Sequence, residues 1–130
     1  MDYRLNNEAI ASCIIVKVLK KTNYNTLKMT LIVPLLMEGH SLKNANLTIS
    51  YKDYLPMLVN SMSLLMQMGY IQLIQNELSL TDKGQHLCKD MDTKIVSNRL
   101  NSICKKIDSL LEAVNEISSN DLYHNLKIIL

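Results

Sequence analysis

The chain contains no phenylalanine and no tryptophan, so the largest apolar anchors of many cores and interfaces are missing. Leucine, isoleucine and eight methionines must fill the interior, and methionine packs adaptably in cores and in soft interfaces alike. Glycine is scarce: Gly39, Gly69 and Gly84 fall at expected helix ends and turns, which leaves no glycine-rich loop to cradle a phosphate. The three cysteines, Cys13, Cys88 and Cys104, lie far apart in sequence and lack CxxC spacing. Each sits in an apolar helical pattern, so three small buried thiols in a reducing, cytoplasmic setting are expected. His40, His86 and His124 form no HExxH or HxxxH pair, and a zinc site would have to be assembled wholly from long-range contacts. His86 and Cys88 stand two residues apart in one helix, on different faces, and make a poor nucleophile pair. Without a nucleophile and its base, paired carboxylates or spaced ligands, no enzyme, metal, cofactor or small-molecule substrate is expected.

Charge of one sign is also lacking. Fourteen basic and twelve acidic residues are interspersed, with no polybasic arm and no acidic tail, so a net charge of +2 neither demands nor excludes nucleic acid. The apolar run from Ala9 to Val16 is too short to span a bilayer and has no basic region before it, so neither membrane insertion nor secretion is expected. There is no internal repeat and no low-complexity stretch.

What remains is an ordinary globular balance of 48% hydrophobic and 20% charged residues, which separates the chain from disordered proteins. A length of 130 residues fits one domain with a sizeable core and leaves little room for a second.

Along the chain, Asn6 or Asn7 can cap a first helix from about Glu8 to Lys20 that is apolar nearly all round. Such a helix must be covered on most sides, by its own domain or by another chain. After a polar loop, "TNYN", Thr26 opens a second helix to about Met37, which Pro34 should kink or divide. The Asn-rich stretch from Glu38 to Tyr54 includes the alternation Leu47, Ile49, Tyr51, which suits a first strand. Asp53 then starts a helix from about Tyr54 to Met68, with Pro56 tolerated in its first turn and Gly69 as its stop. Tyr70 to Ile74 make a second strand, "QNE" turns, Leu78 and Leu80 make a third, and Thr81 caps a following helix.

Beyond that helix Val96, Leu100, Ile103, Ile107, Leu110, Val114 and Ile117 recur at alternating spacings of four and three, a heptad seam suited to an apolar partner. Self-burial within one domain is the competing explanation. The tail closes on Ile128, Ile129 and Leu130, which should be docked on something. These ten residues are the candidate partner-binding set. The expected fold is mainly α with a small β-wing: a winged-helix-like core over about 8–92, extended by a long C-terminal helical segment over about 95–130.

A winged helix that reads DNA carries Arg, Lys, Asn or Gln on its recognition helix, because those side chains bond to base edges. Here that helix, "DYLPMLVNSMSLLMQM", has no Arg or Lys, and the wing "QLIQNELS" adds only Glu77. Phosphate contacts normally supply most non-specific affinity, so the wing argues against DNA reading. The basic residues that do gather, Lys83, Lys89, Lys94, Arg99, Lys105 and Lys106, could support a weak backbone contact, although a solvated helix face is the commoner explanation for such a run.

The order of "LNNEAIASCIIVKVL", "LIVPLLMEG", "GYIQLIQNELSLTDKG", "SNRLNSICKKIDSLLEAV" and "SSNDLYHNLKIIL" spans almost the whole chain. In that order the chain resembles the small middle components of bacterial three-component ABC systems, the group that includes the Lamassu-type anti-phage and anti-plasmid complexes. It departs from them in having "NN" where an Asn-Pro is associated with the family, and in keeping only Lys43 of the basic residues expected soon after "PLLMEGH". The resemblance implies a non-enzymatic adaptor beside an SMC-like ABC ATPase and an effector that is often a nuclease, with DNA met through the complex. The alternative is a winged-helix transcriptional regulator that dimerises through the helix from 95 to 117 and binds DNA.

Overall fold

The structure, a computed structural model, describes residues 7–37, 48–94, 98–115 and 127–129. Ten elements follow in chain order. Helix α1 spans Asn7–Lys21, strand β1 Tyr24–Asn25, helix α2 Thr26–Met37, strand β2 Thr48–Ser50 and helix α3 Tyr51–Gln67. Strands β3 (Ile71–Ile74) and β4 (Glu77–Leu80) form a hairpin, followed by helices α4 (Asp82–Lys94) and α5 (Asn98–Asn115) and strand β5 (Lys127–Ile129). The architecture is mainly helical with a small antiparallel sheet in the order β1-β4-β3.

The near-continuous apolarity of α1 is met within the chain: Ile10, Ala11, Ile14, Ile15, Val16 and Val18 are all buried, and α2, α3, α4, α5 and β4 pack around them. Each such isoleucine or valine side chain removed from water stabilises the fold by roughly 1.5–3 kcal/mol, which makes α1 the centre of the structure. A tie joins its start to α3, where the fully buried Ser61 hydroxyl donates to the Glu8 carbonyl at 3.2 Å.

Helix α2 begins where expected, but its cap is Asn25, whose side-chain oxygen accepts from the Lys28 amide at 2.7 Å. Every residue from Leu31 to Met37 is buried, so α2 runs through the interior. Of the two outcomes expected at Pro34, a kink or a division, division does not occur, since α2 runs on through it to Met37. Packing on all sides holds the residues flanking the missing amide in helical geometry.

Two further expectations are corrected. The "TNYN" stretch is not merely a loop, because Tyr24 and Asn25 pair with Leu78 and Glu77 at the edge of the sheet. The Tyr24 side chain turns into the core, and that burial outweighs the polar character of its neighbours. The strand expected around Ile49 exists, but it forms a separate parallel pair in which Thr48, Ile49 and Ser50 face Lys127, Ile128 and Ile129. Helix α3 then starts at Tyr51, so Pro56 lies in its second turn instead of its first.

The hairpin has the register Ile71↔Leu80, Gln72↔Ser79, Leu73↔Leu78 and Ile74↔Glu77. Its two turn residues, Gln75 and Asn76, have φ of 52° and 66°, the two positive values that a type I′ turn requires. Ile71 and Leu78 are buried on the core face, and this register anchors the hairpin to α1 and α3.

Helix α5 is built into the same core. Ile103, Ile107, Leu110 and Leu111 are buried in one cluster with the apolar residues of α1 and α2. The middle of the heptad seam, Ile103, Ile107 and Leu110, is therefore covered within the chain itself.

Candidate functional site

The end of α3 is fixed before any functional surface can be presented. Gly69 adopts φ 79°, and its amide donates to the Met66 carbonyl at 3.0 Å while the Tyr70 amide donates to the Leu65 carbonyl at 2.9 Å. That pair of bonds is a Schellman cap. From α4, the Lys83 ammonium donates to the Met68 carbonyl at 2.8 Å and lies 4.9 Å from the centre of the Tyr70 ring. The Thr81 hydroxyl accepts from the Gly84 amide at 3.1 Å, which caps α4, and it donates toward the Gly69 and Tyr70 carbonyls. Helix, hairpin and α4 are thus locked together at one corner.

On this rigid frame α3 exposes a patterned face. At 3.6 residues per turn, Leu55, Val59, Met62 and Met66 share one flank, while Leu64 and Met68 share the opposite one. Between the flanks runs an exposed uncharged polar stripe of Asn60, Ser63 and Gln67. Leu55, Val59, Leu64, Met66 and Met68 are between 36% and 48% exposed, and the hairpin adds Leu73 at 43% and Ile74 at 58%. From Tyr54 to Tyr70 the sequence has no charged residue. Apolar side chains exposed on a capped, rigid element with no charged residue along it suit a protein partner better than a phosphate backbone.

The candidates named from sequence are distributed differently. Of the partner-binding set, Ile103, Ile107 and Leu110 are buried in the chain's own core. Leu100 and Val114 lie in α5, Ile128 and Ile129 lie in β5 beside β2, and Val96, Ile117 and Leu130 fall outside the described residues. Of the basic set, Lys83, Lys89, Lys105 and Lys106 are exposed, while Lys94 and Arg99 sit at the end of α4 and the start of α5. Lys83 already serves the α3 cap.

The cysteines come together from α1, α4 and α5. Burial pushes the Cys13 thiol above its usual range, the neighbouring Cys104 and Cys88 add to that, and Lys17 opposes it. A raised thiol holds its proton and is a weak nucleophile. All three are free cysteines, and among the described residues no group of three or more His, Cys, Asp and Glu is arranged to hold a metal ion. His86 is exposed on α4; His40 and His124 lie outside the described residues.

Sequence reasoning missed the exposed apolar flanks of α3, since it weighed that helix only for the cations a DNA reader needs. The signal was available, because Leu64 and Met68 fall half a turn away from Val59 and Met66 and cannot share a core face with them. Comparison with protein-family models, with curated proteins and with solved structures gives no match in any of the three.

Proposed function

We propose that this chain is a cytoplasmic, non-enzymatic, winged-helix-like adaptor that engages a protein partner through α3 and the β3–β4 hairpin. The observation that carries the reading is the uncharged, apolar-flanked face of α3, continued by Leu73 and Ile74. The winged-helix assignment draws support from the order α1, β1, α2, α3 and hairpin, interrupted only by β2, which pairs with β5 outside the sheet, and from the central place of the hairpin's second strand in the sheet. In that arrangement α3 stands where a DNA reader places its recognition helix, and it lacks the cations such a helix uses. A regulator dimerising through the α5 seam has little support, since Ile103, Ile107 and Leu110 are spent on the chain's own core.

The partners under this reading, an SMC-like ABC ATPase and an effector such as a nuclease, come from the resemblance to middle components of three-component ABC systems. The test is co-expression of the tagged chain with the products of its neighbouring genes, followed by affinity purification and mass spectrometry. Recovery of a large coiled-coil ATPase at fixed stoichiometry is expected. Val59→Glu combined with Leu64→Glu, both near half exposed, should abolish that recovery while the melting temperature holds. Full recovery by the folded double variant overturns the surface. A chain that recovers no ATPase and instead shifts a promoter duplex overturns the adaptor reading itself.

A further inference from the structure

The hairpin ends the three-stranded sheet on an edge that carries none of the usual protections. Strand β3 is the outer strand in the order β1-β4-β3, and among the described residues no strand pairs with its far side. Which of its backbone groups face outward follows from the turn. In a two-residue hairpin the residues flanking the turn, here Ile74 and Glu77, exchange both of their backbone hydrogen bonds, and bonded and non-bonded pairs alternate from there along the ladder. Gln72 therefore bonds inward to Ser79, and the Thr81 amide, donating to the Tyr70 carbonyl at 3.1 Å, keeps the same phase. Ile71 and Leu73, opposite Leu80 and Leu78, point their amides and carbonyls away from β4. Edge strands are normally blunted by lysine, proline or a bulge. The stretch from Tyr70 to Asn76 has no charged residue and no proline, and its register runs without a bulge. Leu73 shares the core-facing side of the sheet with the buried Ile71 and Leu78, yet it is 43% exposed, because the sheet stops there.

We infer that this edge pairs antiparallel with the same edge of a second copy of the chain, about a two-fold axis through Gln72. The outward-facing groups are symmetric about that residue, so the rotation brings Ile71 opposite the partner's Leu73 and Leu73 opposite the partner's Ile71. Each such pair exchanges both of its backbone hydrogen bonds, and every outward donor and acceptor of the two residues meets its complement. On the core-facing side Leu73 packs against the partner's Ile71, which covers the leucine that one chain leaves open. On the other side Ile74, 58% exposed, stands opposite the partner's Tyr70, and the two Gln72 amides meet at the axis, where each can donate to the other. A second copy brings no like charges together, and it suits the edge better than a charged strand, to which no residue from Tyr70 to Asn76 offers an opposite charge.

The inference shares Leu73 and Ile74 with the adaptor's face but uses none of the adaptor's partners, and the isolated chain tests it. Sedimentation equilibrium of the full-length protein from about 10 μM to about 1 mM, the range of small and transient contacts, should show the mass rising from 14.8 kDa toward twice that value. Gln72 is exposed, and Gln72→Lys and Gln72→Glu each set like charges face to face at the axis, which should weaken association about tenfold or more. An equimolar mixture of the two should restore it, since a lysine then faces a glutamate. Leu73→Pro removes an outward amide, leaves the bonds to β4 in place, and should also hold the chain at 14.8 kDa. Val59→Glu with Leu64→Glu alters the α3 face alone and should leave the association intact, so the edge and the adaptor reading fail separately. A parent chain at 14.8 kDa throughout overturns the inference, as does undiminished association of the Gln72 variants. A mixture that does not recover takes the axis away from Gln72 and overturns the pairing, and loss of association in the α3 variant assigns the contact to the helix instead. Because Gln72 is exposed, melting curves of its dilute variants should coincide with that of the parent; if the proline variant unfolds, the Gln72 pair decides.

Discussion

Replacing Gly84 by alanine adds one methyl group and should be among the most damaging small changes available. Gly84 lies on α4 where that helix crosses the end of α3, and a Cβ there would stand 2.0 Å from the Tyr70 carbonyl oxygen and 3.0 Å from Leu80 Cδ2. The oxygen belongs to the backbone and cannot rotate away. The same carbonyl accepts from the Thr81 amide and the Thr81 hydroxyl, each at 3.1 Å, so displacing it strains the cap of α4 and the hairpin together. Overpacking of this kind costs about 1–3 kcal/mol, and each weakened hydrogen bond about 1 kcal/mol more. Against this, alanine in place of glycine within a helix gains about 1 kcal/mol. The net is a loss of about 3 kcal/mol, or about 10 °C in melting temperature for a chain of this size. Thermal unfolding followed by far-UV circular dichroism reads it directly, with urea unfolding as a second measure. Gly69→Ala is the calibrating variant: it meets only Lys83 Cδ at 3.9 Å, and its cost, from holding φ at 79°, should be about 1 kcal/mol. A Gly84→Ala protein melting within about 2 °C of the parent would show that α4 does not approach Tyr70 this closely.

Thr81→Ala removes the α4 cap together with the donor to the Gly69 and Tyr70 carbonyls, and should cost about 1–2 kcal/mol in urea unfolding; a loss below half that range would mean that water replaces the hydroxyl. Ile107→Ala tests whether α5 belongs to the core: at 1% exposure it should cost about 2–5 kcal/mol, whereas a change within about 0.5 kcal/mol would return α5 to the surface. Alkaline pH probes the buried Tyr24, whose phenol is pushed by burial from 10.0 up to about 12. Because the folded state holds that proton more tightly than the unfolded chain, the contribution is complete below pH 10 and is lost as pH rises toward 12. Burial holds the Lys28 ammonium, 5.7 Å from the ring, below its usual range, which works in the opposite sense because losing that proton relieves the folded state. The difference between parent and Tyr24→Phe isolates the phenol: the parent should lose about 2–3 kcal/mol more than the variant across this window. Parallel stability profiles would show that the ring meets water in the folded state.

Periodicity made α1, α2, the β3–β4 hairpin and the caps at Gly69 and Thr81 legible before any coordinates. In each of these the local chemistry and the burial agree: an apolar helix, an alternating strand, a glycine stop, a hydroxyl at a helix start. Tyr24 and Asn25 were not legible as a strand, because two residues carry no period; only the approach of β4 makes them one. Pro34 was read from backbone chemistry alone, which allows a kink or a break; the burial of every residue from Leu31 to Met37 holds the helix undivided.

The candidate surfaces divide along the same line. A seam of Ile103, Ile107 and Leu110 announces that α5 must be covered, and nothing in the spacing says by what. The cover turned out to be α1 and α2, leaving the flanks of α3 open instead. Composition and period are properties of neighbouring residues and follow from short-range sterics and solvation. Which apolar stripe is buried depends on how the helices divide one limited core among themselves, and that is settled only when they pack.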